Sequence, residues 1–414
     1  MEMKKFDGYQ YVDGGVCAAQ GFQANGLNCG LNPIKEKNDL CLLVSDTSCD
    51  VAAVYTKNKV KGAPILVTKK HLSKTKGKGR AVIANSKNAN TCNRDGEEKA
   101  EQMCVLAAKA LGIQTEEVLV ASTGVIGQVL PIEPIEAAIS DLVKGLSYQG
   151  NEKAMQAIMT TDTVPKQVAV EFLVEGKTVR IGGMAKGSGM IHPNMATTLN
   201  FITTDLAISS EMMQKALQEL ISVTYHCLSI DGDTSTNDMV CVMANGMAEN
   251  KKITEDGEAY QMFRQGLFIV MMNLTRMLAK DGEGASKLLE CICSGAPDWG
   301  TAIAVAKSVI VSPLFKCAMF GEDANWGRIL CAVGNAKAEF EIDKVDVKLA
   351  SLAGELPVCQ DGSGVAFSEE FAEKVLKEDE IQILIDLKQG TASATAWGCD
   401  LTYDYVKING DYRS

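Results

Sequence analysis

Histidine is nearly missing from these 414 residues: His71, His192 and His226 are the only three. A Ser-His-Asp or Cys-His site must draw its base from one of them, and a zinc site would want more than one. No GxSxG, HExxH or Walker A pattern occurs. Basic charge is in deficit as well. Lys and Arg number 41 against 52 Asp and Glu, a formal charge of −11 that argues against a nucleic-acid partner. Long hydrophobic runs are absent; Leu267 to Met272 is the most apolar stretch and is much too short to span a bilayer. Lys4 and Lys5 lead into Asp7, Tyr9 and Gln10, not into the apolar core of a secretory signal. These features set the expectation of a cytoplasmic protein with no membrane contact. Cys291-Ile292-Cys293 is the one close cysteine pair, and no second pair has ligand spacing, so neither a metal nor a cofactor is expected.

What is present is a globular composition, 46% hydrophobic and 22% charged, long enough for two or three domains. Fourteen cysteines stand mostly alone. Cys41, Cys104 and Cys331 have apolar neighbours and read as buried thiols of a reducing compartment. Lys69, Lys70, Lys74, Lys76, Lys78 and Arg80 form a basic run that reads as a solvated loop containing His71, and that is also compatible with the phosphates of a cosubstrate.

The first half alternates strands and helices. Leu40–Val44, Ala52–Tyr55, Arg80–Ala84 and Val118–Ser122 are short apolar runs bounded by turn residues. Met103, Leu106, Ala107, Ala110 and Leu111 keep helical spacing, with Gly112 as the stop. Pro134 opens another helix, and Glu175-Gly176-Lys177 joins two strands of a hairpin. Beyond residue 199, helices are predicted from Ser209 or Ser210 and over about 258–280, the latter apolar all round at its middle and therefore buried. The tail returns to strands at 342–349, 381–387 and 397–408. The pattern predicts a mixed α/β protein of layered sheets and helices.

One segment stands out: Lys186-Gly187-Ser188-Gly189-Met190-Ile191-His192-Pro193-Asn194-Met195-Ala196-Thr197-Thr198-Leu199. A glycine-rich loop ends in a small residue and a threonine at the head of an apparent strand. Cleavage before Thr197 would place a free α-amine beside its own hydroxyl, a nucleophile and base in one residue. The scarcity of histidine favours such a self-contained site.

The segment from Gly182 to Thr197 resembles the processing site of the ornithine acetyltransferases, also called glutamate N-acetyltransferases. The resemblance continues in order along the chain. It takes in Phe22 to Gly30, Ala52-Ala53-Val54-Tyr55-Thr56, Asn85 to Asn90, Ser122-Thr123-Gly124-Val125-Ile126-Gly127 and Met159-Thr160-Thr161-Asp162-Thr163. It then includes Asp231 to Asp238, Asp281-Gly282-Glu283-Gly284-Ala285, Gly321 to Arg328, and Asn409-Gly410-Asp411-Tyr412-Arg413-Ser414.

The resemblance implies an α/β sandwich of the N-terminal-nucleophile-like type (DOM-fold). It implies self-cleavage between Ala196 and Thr197 into chains 1–196 and 197–414, with two of each chain assembled as a heterotetramer. The implied reaction moves acetyl from N-acetylornithine to glutamate through an acetyl-Thr197 intermediate, and acetyl-CoA could serve as a second donor. Thr123 and Gly124 are the implied oxyanion hole. Lys186 would pair with the substrate carboxylate and Glu283 with its ammonium. Asn409 and Ser414 would close the pocket, and Thr160 or Thr161 would contact substrate. Asp231, Asp233 and Asp238 lack EF-hand spacing and read as an acidic structural turn. His192, close to Thr197, reads as non-catalytic. The chain departs from the family at Lys87, where glycine is more common, at Thr198, where methionine is common, and at Gly410, where alanine is usual. Two other classes remain open at this point: a self-cleaved threonine amidase or aminopeptidase with water as acceptor, and an uncleaved metabolite-binding protein.

Overall fold

The computed structural model describes residues 3–192 and 198–411. Among them, two sheets carry the architecture. The larger has nine strands, running Gln10–Tyr11, Lys166–Val174, Lys177–Lys186, Leu199–Thr204, Met239–Ala244, Leu40–Tyr55, Lys78–Asn85 and Val118–Ser122, with Phe22–Leu27 also paired to Leu40–Tyr55. The smaller has seven and centres on Asp346–Ser351, Glu380–Asp386, Leu288–Ala296 and Ala392–Cys399. The expected layered α/β class is what the chain forms.

The long helix Glu258–Lys280 explains how the sheets meet. It is buried from Leu267 through Leu274 apart from Phe268. It packs on Lys166–Val174 and Lys177–Lys186 of one sheet and on Ala392–Cys399 of the other. Its apolar girdle therefore satisfies two layers at once, joining Ile181, Val270 and Trp397 in one core. The opposite face of the large sheet is closed by Asn151–Ile158, and its far edge by the helices Ala63–Lys74, Gly96–Leu111 and Glu133–Lys144.

Local signals hold where they have a mechanism. Ser209 caps Ser210–Val223 by accepting from Met212 N–H. Gly112 ends its helix in the left-handed region. The hairpin turns at Glu175-Gly176 between Lys166–Val174 and Lys177–Lys186.

Other expectations are corrected. The two short runs at 40–44 and 52–55 belong to one strand, Leu40–Tyr55, irregular between Val44 and Cys49. The basic run is not one loop: it lies on the helix Ala63–Lys74 and the start of Lys78–Asn85, with only Lys76 in the turn between them. His71 is buried there, between the Val118 carbonyl and Glu101. The tail strand stops at Cys399, and Tyr403–Asp411 is a helix, so Tyr403 and Tyr405 do not continue the alternation. Residues 342–344 form a 3-10 turn ahead of the strand Asp346–Ser351. Cys331 is exposed on the helix Trp326–Gly334, whereas Cys41 and Cys104 are buried.

His226 gives the fold a testable acid sensitivity. Burial, then the ammonium of Lys307, lowers its pKa to about 4, and its Nε2 has no hydrogen-bond partner among the described residues. Between about pH 6.5 and 4 the unfolded chain binds a proton that the folded one refuses, so stability falls as pH drops through that window. His226→Gln is expected to flatten the melting temperature against pH there, recovering up to about 3 kcal/mol at pH 4 relative to the wild type. An unchanged slope would place the acid sensitivity in other groups.

Candidate active site

Three neighbouring strands set the floor of one polar cavity. Lys186 pairs with Leu199, and Leu199 pairs with Met239. Lys186, Thr198 and Asp238 therefore line up side by side at one end of the sheet. All three face a cavity of about 140 Å³, whose walls also include Thr123, Gly124, Thr160, Thr161, Glu283 and Asn409. Every described residue named as a site candidate from the sequence thus reaches the same space. Ala196, Thr197 and Ser414 lie outside the described residues.

Lys186 is held from several sides. Its ammonium donates to Thr160 Oγ1 at 2.7 Å and to Thr123 Oγ1 at 3.4 Å, with Asp162 Oδ2 at 3.9 Å. Burial lowers its pKa, and the Asp162 carboxylate opposes that shift. Thr161 points its hydroxyl at Ser188 Oγ, 2.7 Å away. Of the two threonines, Thr160 is the one on Lys186.

Behind these groups lies a cluster that no single motif announces. Asp162 Oδ1 accepts from Lys166 Nζ at 2.7 Å and from Gly187 N–H at 2.6 Å, and Oδ2 accepts from Thr160 N–H at 3.0 Å. Burial works against this carboxylate. The ammoniums of Lys166 and Lys186 nevertheless hold its pKa well below the usual range. Lys166 is buried and also pairs with Asp281, which receives the Thr163 N–H at 3.1 Å and the Thr163 hydroxyl. Asp281 ends the long helix, two residues before Glu283. Thr160, Lys186, Gly187 and the Glu283 turn are thus tied to one ion cluster.

Glu283 accepts from Asn409 Nδ2 at 2.7 Å, and its N–H donates to the Ser188 carbonyl at 2.8 Å. Its carboxylate lies so close to Gly189 that a Cβ there would collide with it. Gly410 meets no such limit, since a Cβ there would enter open space.

The Thr123-Gly124 turn is shaped by the asparagine loop 85–90. Thr123 N–H donates to the Asn85 carbonyl at 2.9 Å and Val125 N–H to the Lys87 carbonyl at 3.1 Å. Ser122 Oγ donates to Asn85 Oδ1 at 2.6 Å. Gly124 has φ +131° and packs on the Lys87–Asn88 peptide, leaving no room for a side chain. Lys87 itself has φ +72°, the conformation for which glycine is the better residue. Asn237 pins this turn to the sheet, donating to the Ser122 carbonyl at 2.9 Å and to the Ala89 carbonyl at 2.6 Å.

Asp231 behaves as the expected structural turn, accepting from Met190 N–H at 2.6 Å and Ile191 N–H at 2.8 Å. Asp238 does not: it is buried in the cavity wall, and its Oδ2 has no hydrogen-bond partner among the described residues. Burial raises its pKa well above the ordinary carboxylate value, with Ser235 and Lys186 opposing the shift. His192 hydrogen-bonds Ser229 Oγ at 3.0 Å, and burial, then Lys307, lowers its pKa. The basic run is occupied elsewhere: Lys70 pairs with Glu101, Lys74 with Glu116 and Lys78 with Asp50, while Arg80 donates to the Ser45 and Asp46 carbonyls.

A two-sheet α/β body with a small, charge-lined cavity at the end of three inner strands of its main sheet suits an enzyme of small molecules. Residues 23–414 match the model of the ArgJ family, and the chain belongs to that family. The "Arginine biosynthesis bifunctional protein ArgJ" of Caldanaerobacter subterraneus subsp. tengcongensis is 48% identical over 406 residues, 98% of this chain and 100% of that one. The Bacillus subtilis protein of the same name is 46% identical over 404 residues, 97% of each. A crystal structure of ornithine acetyltransferase complexed with ornithine, from Mycobacterium tuberculosis, shares 36% identity; the match covers 45% of this chain and all of that one, at a TM-score of 0.41. No single helix among the described residues is long and apolar enough to cross a membrane.

The ion cluster makes a direct prediction. Lys166→Met removes the ammonium between two buried carboxylates and is expected to cost about 3–5 kcal/mol. Urea unfolding of the purified protein reads that loss, and a change under 1 kcal/mol would show that the cluster does not support the fold.

Proposed function

We propose that this protein transfers acetyl from N-acetylornithine to glutamate through an acetyl-threonine intermediate. The observation that carries the reading is the pairing of charges in one small cavity. A buried ammonium, Lys186, and a carboxylate, Glu283, both line it, each oriented by a neighbour, Thr160 and Asn409. A molecule with one carboxylate and one distant ammonium fits that pair through charge-assisted hydrogen bonds. The ornithine bound by the Mycobacterium tuberculosis relative is such a molecule. Asn409 holds Glu283, and Ser414 is the proposed closing group beyond it.

In this scheme the precursor cleaves itself between Ala196 and Thr197. Chains 1–196 and 197–414 stay together as one folded unit, two of each forming a heterotetramer. The new α-amine, with an ordinary pKa of about 7.7–8.0, takes the Thr197 hydroxyl proton near neutrality. Thr197 Oγ attacks the acetyl carbonyl of N-acetylornithine. The Thr123 hydroxyl and the Gly124 N–H are the proposed donors to the tetrahedral oxyanion. Ornithine leaves with the proton, and the amine of glutamate then attacks the acetyl-enzyme, releasing N-acetylglutamate and restoring Thr197.

Thr198 is the neighbouring hydroxyl, but its Oγ1 is engaged by Asn200 Nδ2, which supports Thr197 as the nucleophile. The charged clamps favour a diamino-acid substrate over the peptide of an aminopeptidase.

Thr197→Ala is expected to give an intact, folded and inactive chain of 44.3 kDa on a denaturing gel, where the wild type gives two bands of similar size. Wild-type enzyme should form N-acetylglutamate from N-acetylornithine and glutamate, and little acetate when glutamate is withheld. Acetate release at the same rate without glutamate would move the protein to the amidases.

The curated relatives carry the word bifunctional in their names, and we extend a second donor, acetyl-CoA, to this chain. N-acetylglutamate should then form from acetyl-CoA and glutamate with no acetylornithine present. Failure of that assay would confine the chain to the recycling reaction.

A further inference from the structure

Two neighbouring donors on the cavity wall have no acceptor among the described residues. One is the Gly124 N–H. The N–H groups on either side of it are used, Thr123 by the Asn85 carbonyl at 2.9 Å and Val125 by the Lys87 carbonyl at 3.1 Å. The other is the Thr123 hydroxyl, which receives the Lys186 ammonium at 3.4 Å and gives its own proton to none of the described groups. Both residues line the cavity. Such donors stabilise a developing charge only if their directions are fixed before it appears, because turning a loose peptide at that moment cancels what the hydrogen bonds return.

The turn is not stiff by itself. It leaves the end of the strand Val118–Ser122, and Gly124 at φ +131° has the freedom of glycine. What fixes it comes from another part of the chain. The peptide between Ser122 and Thr123 is gripped at both ends, its N–H by the Asn85 carbonyl and its carbonyl by Asn237 Nδ2 at 2.9 Å. The same Nδ2 donates to the Ala89 carbonyl at 2.6 Å, in the loop that receives the Thr123 and Val125 N–H groups.

The rest of Asn237 is committed as well. Its Oδ1 accepts from the hydroxyls of Thr91 and Thr236, each at 2.6 Å. A side-chain amide has two donor hydrogens and two acceptor sites, and all four are filled. Asn237 is buried, and Gly62 packs so closely on its amide that a Cβ there would collide with it. The amide cannot rotate without breaking several buried hydrogen bonds together. Aspartate and leucine have a similar shape, but neither can donate to the Ser122 and Ala89 carbonyls.

We propose that Asn237 is a positioning residue for the acetyl transfer. It orients the Ser122–Thr123 peptide and so keeps the Thr123 hydroxyl and the Gly124 N–H facing the cavity. Its own polar atoms are all engaged, so it acts through the turn and not on a ligand. The inference rests on the reading of Thr123 and Gly124 as the oxyanion donors. Both halves of the transfer pass through a tetrahedral oxyanion, so loosening the turn slows both and leaves substrate affinity, set by Lys186 and Glu283, nearly unchanged.

The test uses the full chain and two readouts. In Asn237→Ala, hydrogen exchange read by mass spectrometry over residues 119–129 is expected to quicken by about tenfold or more at the Thr123 and Val125 N–H groups. This measurement needs no self-cleavage, so it decides for any folded chain. The second readout is N-acetylglutamate formation from N-acetylornithine and glutamate, with rates taken per cleaved chain as counted on a denaturing gel. The kcat of Asn237→Ala is expected to fall on the order of 100-fold while KM for N-acetylornithine stays within about threefold. A role limited to stability would reduce the amount of folded enzyme without splitting kcat from KM. Thr91→Val removes one hydroxyl that holds Oδ1 and keeps the volume. It should shift both readouts the same way by about threefold to tenfold, and it decides if the alanine variant does not fold. Unchanged exchange at residues 119–129, a kcat within about threefold of the wild type for Asn237→Ala, or a KM that rises as far as kcat falls overturns the proposal. Wild-type enzyme that forms no N-acetylglutamate takes down the transfer reading and this role with it. An active wild type beside an Asn237→Ala of undiminished kcat loses only the role of Asn237.

Discussion

The cavity depends on a buried lysine. Lys166 opens a strand of the large sheet and places its ammonium between Asp162 and Asp281, shielded from water. Asp162 carries the contacts outward to Thr160, Gly187 and Lys186. Asp281 closes the long helix and begins the turn that bears Glu283. Breaking a buried ion pair leaves an uncompensated charge, so neither wall of the cavity can move without disturbing the other. The positions of the two oppositely charged side chains that line the cavity, Lys186 and Glu283, are set by a shared support.

The same cluster crosses the middle of the chain. Asp162 and Lys166 lie before residue 193, and Asp281 lies after 197. The helix Glu258–Lys280 does likewise, inserting an apolar girdle from the second half between the hairpin of the first half and the smaller sheet. The two halves share cores and charges and do not form separate bodies. The reading of residues 1–196 and 197–414 as two cleavage products is therefore a statement about covalent continuity, not about domains.

Much of this was legible in the chain where a local rule has a physical cause. Ser209 caps a helix because its side chain meets a free N–H. The run from Leu267 to Met272 is apolar all round because it is covered on both sides. Failures occur where tertiary context overrides composition. Lys69, Lys70 and Lys74 look like part of a solvated loop, yet Val67, Thr68 and His71 supply a buried stripe that makes a helix of them. Tyr403 and Tyr405 continue a period of two on paper, but the strand ends at Cys399 and the chain turns into a helix that carries Asn409 to Glu283. The candidate site residues could be collected only through family motifs, because Thr123, Lys186 and Glu283 are far apart in sequence. Asp238 reads, beside Asp231 and Asp233, as part of an acidic structural turn, and its burial in the cavity wall corrects that. Three aspartates in eight positions look alike until burial separates the one in the cavity from the one that caps a turn.

The strand Leu199–Thr204 lies inside the large sheet, with Lys177–Lys186 on one side and Met239–Ala244 on the other. Chain ends usually fray, because little holds their backbone in place. A terminus created just ahead of this strand would not behave that way. Its second residue, Thr198, already gives its carbonyl to Met239, and the third is laddered on both flanks. Severing the backbone ahead of Thr198 would leave Thr198 and Leu199 held as they are, so such a cut would not release the strand that follows it.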